Sequence, residues 1–128
     1  SGTYKRSTNG GRRRGLKSPA GGAWEKLSDG TYKYHFAEGL EATDYWLEID
    51  GTWYYFGHDN IMQTGWVKDD GNWYYMDLKT GALFTGWHEI SGKWYYFHEE
   101  GDGFKGTLMV NCETPDGYTV DVNGALVE

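Results

Sequence analysis

A tandem repeat constrains this chain more than any other feature of its sequence. Three segments align from a Trp: WLEIDGTWYYFGHDNIMQTG (46–65), WVKDDGNWYYMDLKTGALFTG (66–86) and WHEISGKWYYFHEEGDGFKG (87–106). Each contains a short polar turn with Gly, a Trp-Tyr-Tyr triplet that begins seven residues after the first Trp, and a closing Gly. Tandem copies of this length indicate an array of small supersecondary units, each of which packs against its neighbours.

Two less regular copies flank these three. Residues 24–45 keep Trp24 but have Tyr32 where the second Trp would stand, and residues 107–128 have lost both Trp positions. Atypical end copies are what a stacked array needs as caps. The sequence therefore predicts a repeat domain of five copies over residues 24–128.

Each copy has the pattern of a β-hairpin. The run Trp53-Tyr54-Tyr55-Phe56 places rings on both faces of a strand. Asp50-Gly51, Asp70-Gly71 and Ser91-Gly92 are turn signals that join hairpin strands. An isolated hairpin is only marginally stable in water, so stacking is needed to bury the second face. The predicted fold is all-β, a repeat solenoid of stacked β-hairpins with no helices of note.

Charge divides the chain into two parts. Residues 1–23 contain six basic side chains and no acid and are rich in Gly and Ser, which predicts a basic flexible linker. All 19 acidic side chains and the other 6 of the 12 basic ones lie in residues 24–128, whose net charge is therefore −13. An acidic domain does not suit a nucleic-acid backbone, and no apolar run reaches the length of a membrane span. The single cysteine, Cys112, excludes an intrachain disulfide.

The repeated pattern of GW, GxWYY and a closing Gly resembles the cell-wall-binding repeat of choline-binding modules. The resemblance is strong over residues 46–106 and weaker over 24–45 and 107–128. Such modules occur on lytic enzymes and surface proteins of Gram-positive bacteria and their phages. The resemblance implies a left-handed superhelix of hairpins with ligand sites between consecutive copies. It also implies a secreted, cell-wall-associated protein whose partner is choline-bearing teichoic acid or another cell-wall glycan.

The resemblance also assigns site residues. In that family two Trp of one repeat, a Tyr of the following triplet and a Met-like residue form a site. Carried over, the ligand-binding groups are Trp46, Trp53, Tyr74 and Met62; Trp66, Trp73, Tyr95 and Leu83; Trp87 and Trp94 with Tyr118; and Trp24, Tyr32, Tyr54 and Leu40. Rings in such a group can form an aromatic cage for a quaternary ammonium, which cannot donate a hydrogen bond.

Other interpretations of the same rings stay open. Aromatic faces also stack on sugars, so a carbohydrate-binding module for glucan or a cell-surface glycan is an alternative. A structural spacer or a homodimerisation element is another, because the C-terminal segment could add an edge strand to a partner. The Trp pairs could be core, and Tyr55, Tyr75, Tyr96, Phe56 and Phe97 are predicted to pack between hairpins. No catalytic motif and no metal-ligand spacing is present, so we expect a non-catalytic module without a cofactor.

Overall fold

The computed structural model describes residues 15–17, 21–42, 45–99 and 105–128. Of the linker predicted over 1–23, residues 1–14 and 18–20 thus lie outside the described part. The strands are β1 (Gly15–Lys17), β2 (Ala23–Lys26), β3 (Tyr32–His35), β4 (Tyr45–Ile49), β5 (Thr52–Phe56), β6 (Gly65–Asp69), β7 (Asn72–Met76), β8 (Gly86–Ile90), β9 (Lys93–Phe97), β10 (Cys112–Glu113) and β11 (Thr119–Val120). The prediction of an all-β fold is confirmed, and the described residues contain no helix.

Each predicted copy contains one hairpin. The strands pair as β2–β3, β4–β5, β6–β7, β8–β9 and β10–β11. The register places Trp87 opposite Tyr96 and Glu89 opposite Trp94. The two Trp of a copy are therefore diagonal neighbours on one face of the hairpin, a separation that large rings still bridge.

The three regular copies have tight turns. Both turn residues have positive φ in Asp50-Gly51, Asp70-Gly71 and Ser91-Gly92. This conformation is what the two-residue turn of a β-hairpin requires, and Asp-Gly pairs adopt it readily. The turns predicted from the sequence are therefore confirmed in all three copies.

The end copies have wider turns. In the first hairpin the amide of Leu27 donates to the carbonyl of Thr31 at 2.8 Å, and in the last hairpin the amide of Thr114 donates to the carbonyl of Tyr118 at 2.7 Å. A three-residue turn therefore separates the two strands of each end copy. In the last copy this turn contains Asp116, whose side chain is exposed.

The chain divides into two compact units, residues 1–65 with 76–83 and residues 66–75 with 84–128. Inside each unit, a recurring backbone hydrogen bond joins consecutive hairpins: the amide of a residue in the loop that follows one hairpin donates to a carbonyl in the second strand of the hairpin before it. The donor–acceptor pairs are Met62 to Tyr32 (2.8 Å) and Leu83 to Trp53 (3.0 Å) in the first unit, and Leu108 to Trp73 (2.8 Å) and Leu126 to Trp94 (2.8 Å) in the second.

Each of these loop residues also forms a β-bridge to its own hairpin. The bridges join Phe56 to Met62, Met76 to Leu83, Phe97 to Leu108 and Val120 to Leu126. The loop residue therefore lies between two hairpins and pairs with both. This arrangement satisfies backbone groups that an isolated hairpin would leave at its edge. It confirms an array of stacked hairpins within each unit, while the left-handed superhelix stays a prediction.

Aromatic and aliphatic side chains build a core in each unit. The first contains Tyr34, Phe36, Ala42, Leu47, Ile49, Phe56 and Met62, and the second contains Tyr75, Ile90, Phe97 and Leu108. Phe56, Phe97, Tyr75 and Tyr96 are all buried, in agreement with their predicted packing role. Tyr55 is half-buried.

A short strand lies within the predicted linker. Strand β1 pairs in parallel with β4, and Gly15 lies opposite Trp46. The two hairpin strands β4 and β5 thus become a three-stranded sheet. Three residues of the stretch predicted as a linker therefore lie along the edge of the second copy, a pairing that composition alone does not predict.

We expect Gly81→Ala to destabilise the first unit more than Gly51→Ala does. Both glycines have positive φ, which alone costs an alanine about 1–2 kcal/mol. A Cβ at Gly81 would also overlap with the sulfur of buried Met62, whereas nothing lies within 4 Å of a Cβ at Gly51. Overpacking of this kind adds about 1–3 kcal/mol. Urea unfolding of both variants measures the difference, and equal losses of stability would contradict the packing described for Met62.

Candidate ligand-binding crevices

A crevice of about 370 Å³ opens in the second unit, bordered by rings from two consecutive copies. Its lining residues are Trp66, Trp73, Tyr95, Leu108 and Asn123. Trp66 and Trp73 are 39% and 41% exposed, so a ligand can reach their rings from solvent. The volume falls within the range of about 300–1,000 Å³ that is usual for small-molecule sites.

The rings of this crevice stand nearly at right angles. The centroids of Trp66 and Trp73 are 6.1 Å apart with an interplanar angle of 89°, and those of Trp66 and Tyr95 are 5.1 Å apart at 79°. Buried Leu108 supplies an apolar wall. Perpendicular indole and phenol rings can surround a compact cation on several sides, and each ring contributes about 0.5–1 kcal/mol when exposed and about 2 when desolvated.

The side chain of Lys68 lies over the ring of Trp73. The Nζ of Lys68 lies 5.7 Å from the centroid of the Trp73 ring, within the distance of a cation–π contact. The ring of Trp73 is therefore accessible to a positive charge.

The rings of strand β9 contact two copies, because successive side chains point to opposite faces of the strand. Tyr96 packs against Trp87 of its own hairpin, with centroids 5.1 Å apart. Tyr95 and Phe97 point to the other face and contact Trp66 of the preceding hairpin at 5.1 and 5.9 Å. A crevice therefore requires two consecutive copies, because neither copy supplies all of its walls.

The first unit contains an equivalent crevice, also of about 370 Å³, around Trp24. Its lining residues are Trp24, Tyr32, Tyr54, Met62, Lys79 and Thr80. The centroid of Trp24 lies 6.2 Å from Tyr32 and 4.9 Å from Tyr54, close to the spacings around Trp66. Burial raises the pKa of the Tyr54 hydroxyl, so this wall stays uncharged at neutral pH.

A third crevice, of about 400 Å³, lies at the last hairpin of the second unit. Its lining residues are Trp87, Trp94, Tyr118, Leu126 and Asp116. The rings of Trp87 and Tyr118 are perpendicular, with centroids 5.9 Å apart. The indole Nε1 of Trp87 donates to Oδ2 of Asp116 at 2.9 Å, which fixes a carboxylate at the border of the crevice.

Much of the predicted grouping of rings occurs in the structure. Trp66, Trp73 and Tyr95 line one crevice, and Trp87, Trp94 and Tyr118 line another. In both cases the Tyr comes from the following copy. Whether these residues bind a ligand stays a prediction.

The Met-like residues lie one copy earlier than the sequence predicts. Met62 lines the crevice of Trp24 and Tyr32, where the prediction has Leu40. The amide of Leu83 donates to the backbone carbonyl of Trp53. The crevice of Trp66 is lined by Leu108, where the prediction has Leu83. The reason is the hydrogen bond between copies, which directs each loop residue to the preceding hairpin.

Two rings of the predicted Trp46 group are buried in this structure. Trp46 is 0% exposed and Tyr74 is 2% exposed, so neither ring offers a face to solvent. The ring of Trp46 packs 4.9 Å from Tyr55, and strand β1 lies along its backbone. Trp53 is half-buried, and its role as a ligand contact stays a prediction.

Sequence reasoning missed several crevice residues. These are Leu108, Leu126, Asn123, Asp116, Lys79 and Thr80. Leu126 and Leu83 follow the same Gly-Ala dipeptide, a signal that could have identified Leu126. The contact of Trp87 with Asp116 spans 29 residues and has no local signal.

Other kinds of site find no support in the described residues. Among residues 15–17, 21–42, 45–99 and 105–128, no group of three His, Cys, Asp or Glu could hold a metal ion. No helix in this part of the chain has the length and apolar character needed to cross a membrane.

Comparison with known proteins identifies the repeat. The family described as choline-binding repeat matches residues 42–85 and 84–118. No curated protein matches the chain. The chain is similar to a crystal structure of choline binding protein F from Streptococcus pneumoniae obtained in the presence of a peptidoglycan analogue, with 36% identity and a TM-score of 0.72 over 83% of this chain and 33% of that one.

Two further solved structures are similar. The choline binding domain of Spr1274 from Streptococcus pneumoniae has 38% identity and a TM-score of 0.58, covering 68% of this chain and 96% of that one. The pneumococcal cell wall endolysin from phage Cp-1, complexed with choline, has 33% identity and a TM-score of 0.56, covering 82% of this chain and 30% of that one. The chain thus spans about a third of choline binding protein F and nearly all of the Spr1274 domain. By its repeats and its structural likeness, this chain belongs to the choline-binding repeat family.

Proposed function

We propose that this chain is a non-catalytic binding module that anchors a larger secreted protein to the bacterial cell wall. Choline on teichoic acid is the proposed ligand, held in the crevices between consecutive hairpins. The observation that carries the proposal is the crevice of Trp66, Trp73, Tyr95 and Leu108, where accessible rings stand at right angles around an open space. The Cp-1 endolysin, which is similar to this chain, was solved with choline.

The chemistry of the crevice suits a quaternary ammonium. Its methyl groups make apolar contacts with Leu108, while its positive charge faces the rings of Trp66 and Trp73. Two or three rings give a few kcal/mol, which corresponds to roughly millimolar affinity for one crevice. Several crevices on one module that meet a polymer increase the effective affinity through multivalency. Weak individual sites are therefore compatible with firm attachment to a cell wall.

A carbohydrate ligand is the second candidate, and Asn123 is the observation that favours it. Its side chain lines the crevice of Trp66, where an amide could hydrogen-bond a sugar whose ring stacks on an indole. A glucan oligosaccharide and choline can be titrated into the same protein by calorimetry. Heat from the glucan, with none from choline, would favour this candidate over the first.

The chain should be retained on a column of immobilised choline and released by free choline. Because cation–π contacts and apolar burial hold the ligand, sodium chloride at the same ionic strength should release little protein. The measurement is the fraction eluted by each solution. Release by sodium chloride alone would indicate ion exchange by the acidic surface and would overturn the choline proposal.

Trp73→Ala should lower choline affinity at its crevice by roughly 2- to 30-fold, because one ring worth about 0.5–2 kcal/mol is lost. Trp73 is 41% exposed, so the substitution should leave the fold intact. Leu78→Ala is a matched control, since Leu78 is 68% exposed and does not line the crevice. The indole N–H signal of Trp66, followed by NMR during titration with choline, compares the two variants. Equal midpoints in both would exclude Trp73 from the site.

Choline should raise the melting temperature of the chain, because it binds the folded crevices and not the unfolded chain. At a hundredfold excess over Kd, one site contributes about 2.7 kcal/mol. Circular dichroism with choline or matched sodium chloride measures the shift. A melting temperature that does not change with choline but rises with protein concentration would instead support the spacer or homodimer alternative.

A further inference from the structure

We propose that the three crevices differ in their affinity for cations, and that the one around Trp87 is the strongest because the carboxylate of Asp116 lines it. This inference rests on the proposed function and adds a ranking of sites to it. The ring geometry of the three crevices is similar, so the difference arises from the charged side chains at their borders.

The crevice of the first unit carries a positive charge at its border. Lys79 is among the described residues that line it, together with Trp24. A lysine ammonium repels a second cation. The Trp24 crevice should therefore bind a quaternary ammonium more weakly than its rings alone would allow.

The two crevices of the second unit differ from each other as well. At the Trp66 crevice the polar lining residue is neutral Asn123, and Lys68 already lies against the ring of Trp73. At the Trp87 crevice the charged lining residue is Asp116. A bound cation is therefore attracted at the Trp87 crevice and receives no such attraction at the Trp66 crevice.

The position of Asp116 is fixed by hydrogen bonds. Its Oδ2 accepts the indole N–H of Trp87 at 2.9 Å, and its Oδ1 accepts the hydroxyl of Thr114 at 2.6 Å. Both bonds hold the pKa of Asp116 below its ordinary value, and the bond from Thr114 has the larger effect. The carboxylate is thus ionised at neutral pH and held beside the ring that would bind the ligand.

A carboxylate also widens the range of ammonium ligands. Each of its oxygens can accept a second hydrogen bond, so Asp116 can accept an N–H from a primary ammonium. At the Trp66 crevice the lining amide of Asn123 is a neutral acceptor, and it bonds an ammonium N–H less strongly than a carboxylate does. The Trp87 crevice should therefore accept ethanolammonium better than the Trp66 crevice does.

The expected size of the effect is modest, because Asp116 is exposed. Two unit charges about 5 Å apart in a medium like water interact strongly enough to change affinity by about three- to fivefold. Salt reduces that interaction, so the advantage of the Trp87 crevice should shrink as ionic strength rises.

The test follows the indole N–H signals of Trp24, Trp66 and Trp87 by NMR during titration of the full chain with choline chloride. Trp→Phe variants assign the signals. We expect the Trp87 signal to reach its midpoint at a choline concentration about three- to fivefold lower than that of Trp66. Asp116→Asn should raise the Trp87 midpoint to the Trp66 value and leave the Trp66 curve unchanged.

Lys79→Gln is the matched control. It removes a positive charge where Asp116→Asn removes a negative one, so it should lower the choline midpoint of Trp24 and leave the other two midpoints unchanged. Because Asp116→Asn could disturb the last hairpin, the unaltered chain is also titrated at several salt concentrations. The Trp87 midpoint should then approach the Trp66 midpoint as ionic strength rises. Coincident midpoints for Trp66 and Trp87 at low salt, or an unchanged Trp87 midpoint in Asp116→Asn, would overturn the ranking. Failure of every indole to respond to choline would overturn the proposed function, and the ranking with it.

Discussion

The hydrogen bond from a loop amide to the second strand of the preceding hairpin is the constraint on which the rest of the structure depends. In the part of the chain that the structure describes, four loop residues make it, and each also bridges to its own hairpin. A two-stranded hairpin has too few contacts to be stable alone. The bond fixes the distance and the register between neighbours, and it thereby fixes which rings face each other across a crevice.

The alternation of side chains along a strand turns that register into crevices lined by rings of two copies. Tyr96 contacts Trp87 of the same copy, while Tyr95 contacts Trp66 of the copy before it. The same residues that bury the interface between copies also form the walls of the crevice. Under the proposed function, ligand binding and stacking of copies would be coupled, because a cation that bridges rings of two copies would stabilise the contact between them.

The hairpins and the rings could be predicted from the sequence, since both depend on local patterns. Asp-Gly pairs set the tight turns, and period-two aromatics set the strands. The direction of stacking could not be predicted, because spacing does not say which neighbour a loop residue contacts. Met62 and Leu83 therefore lie one copy earlier than predicted. The burial of Trp46 and its pairing with β1 depend on contacts far apart in sequence, which no local pattern encodes.

The irregular end copies change the chemistry of a crevice without removing it. Tyr32 and Tyr118 belong to copies that lack the second Trp, yet both line open crevices with rings nearly perpendicular to a Trp. Backbone bonds between copies tolerate these changes because they use main-chain atoms. The wider turn of the last hairpin then places Asp116 where a two-residue turn has no equivalent atom. An array can thus keep one architecture while side chains at its borders adjust the charge of each crevice separately.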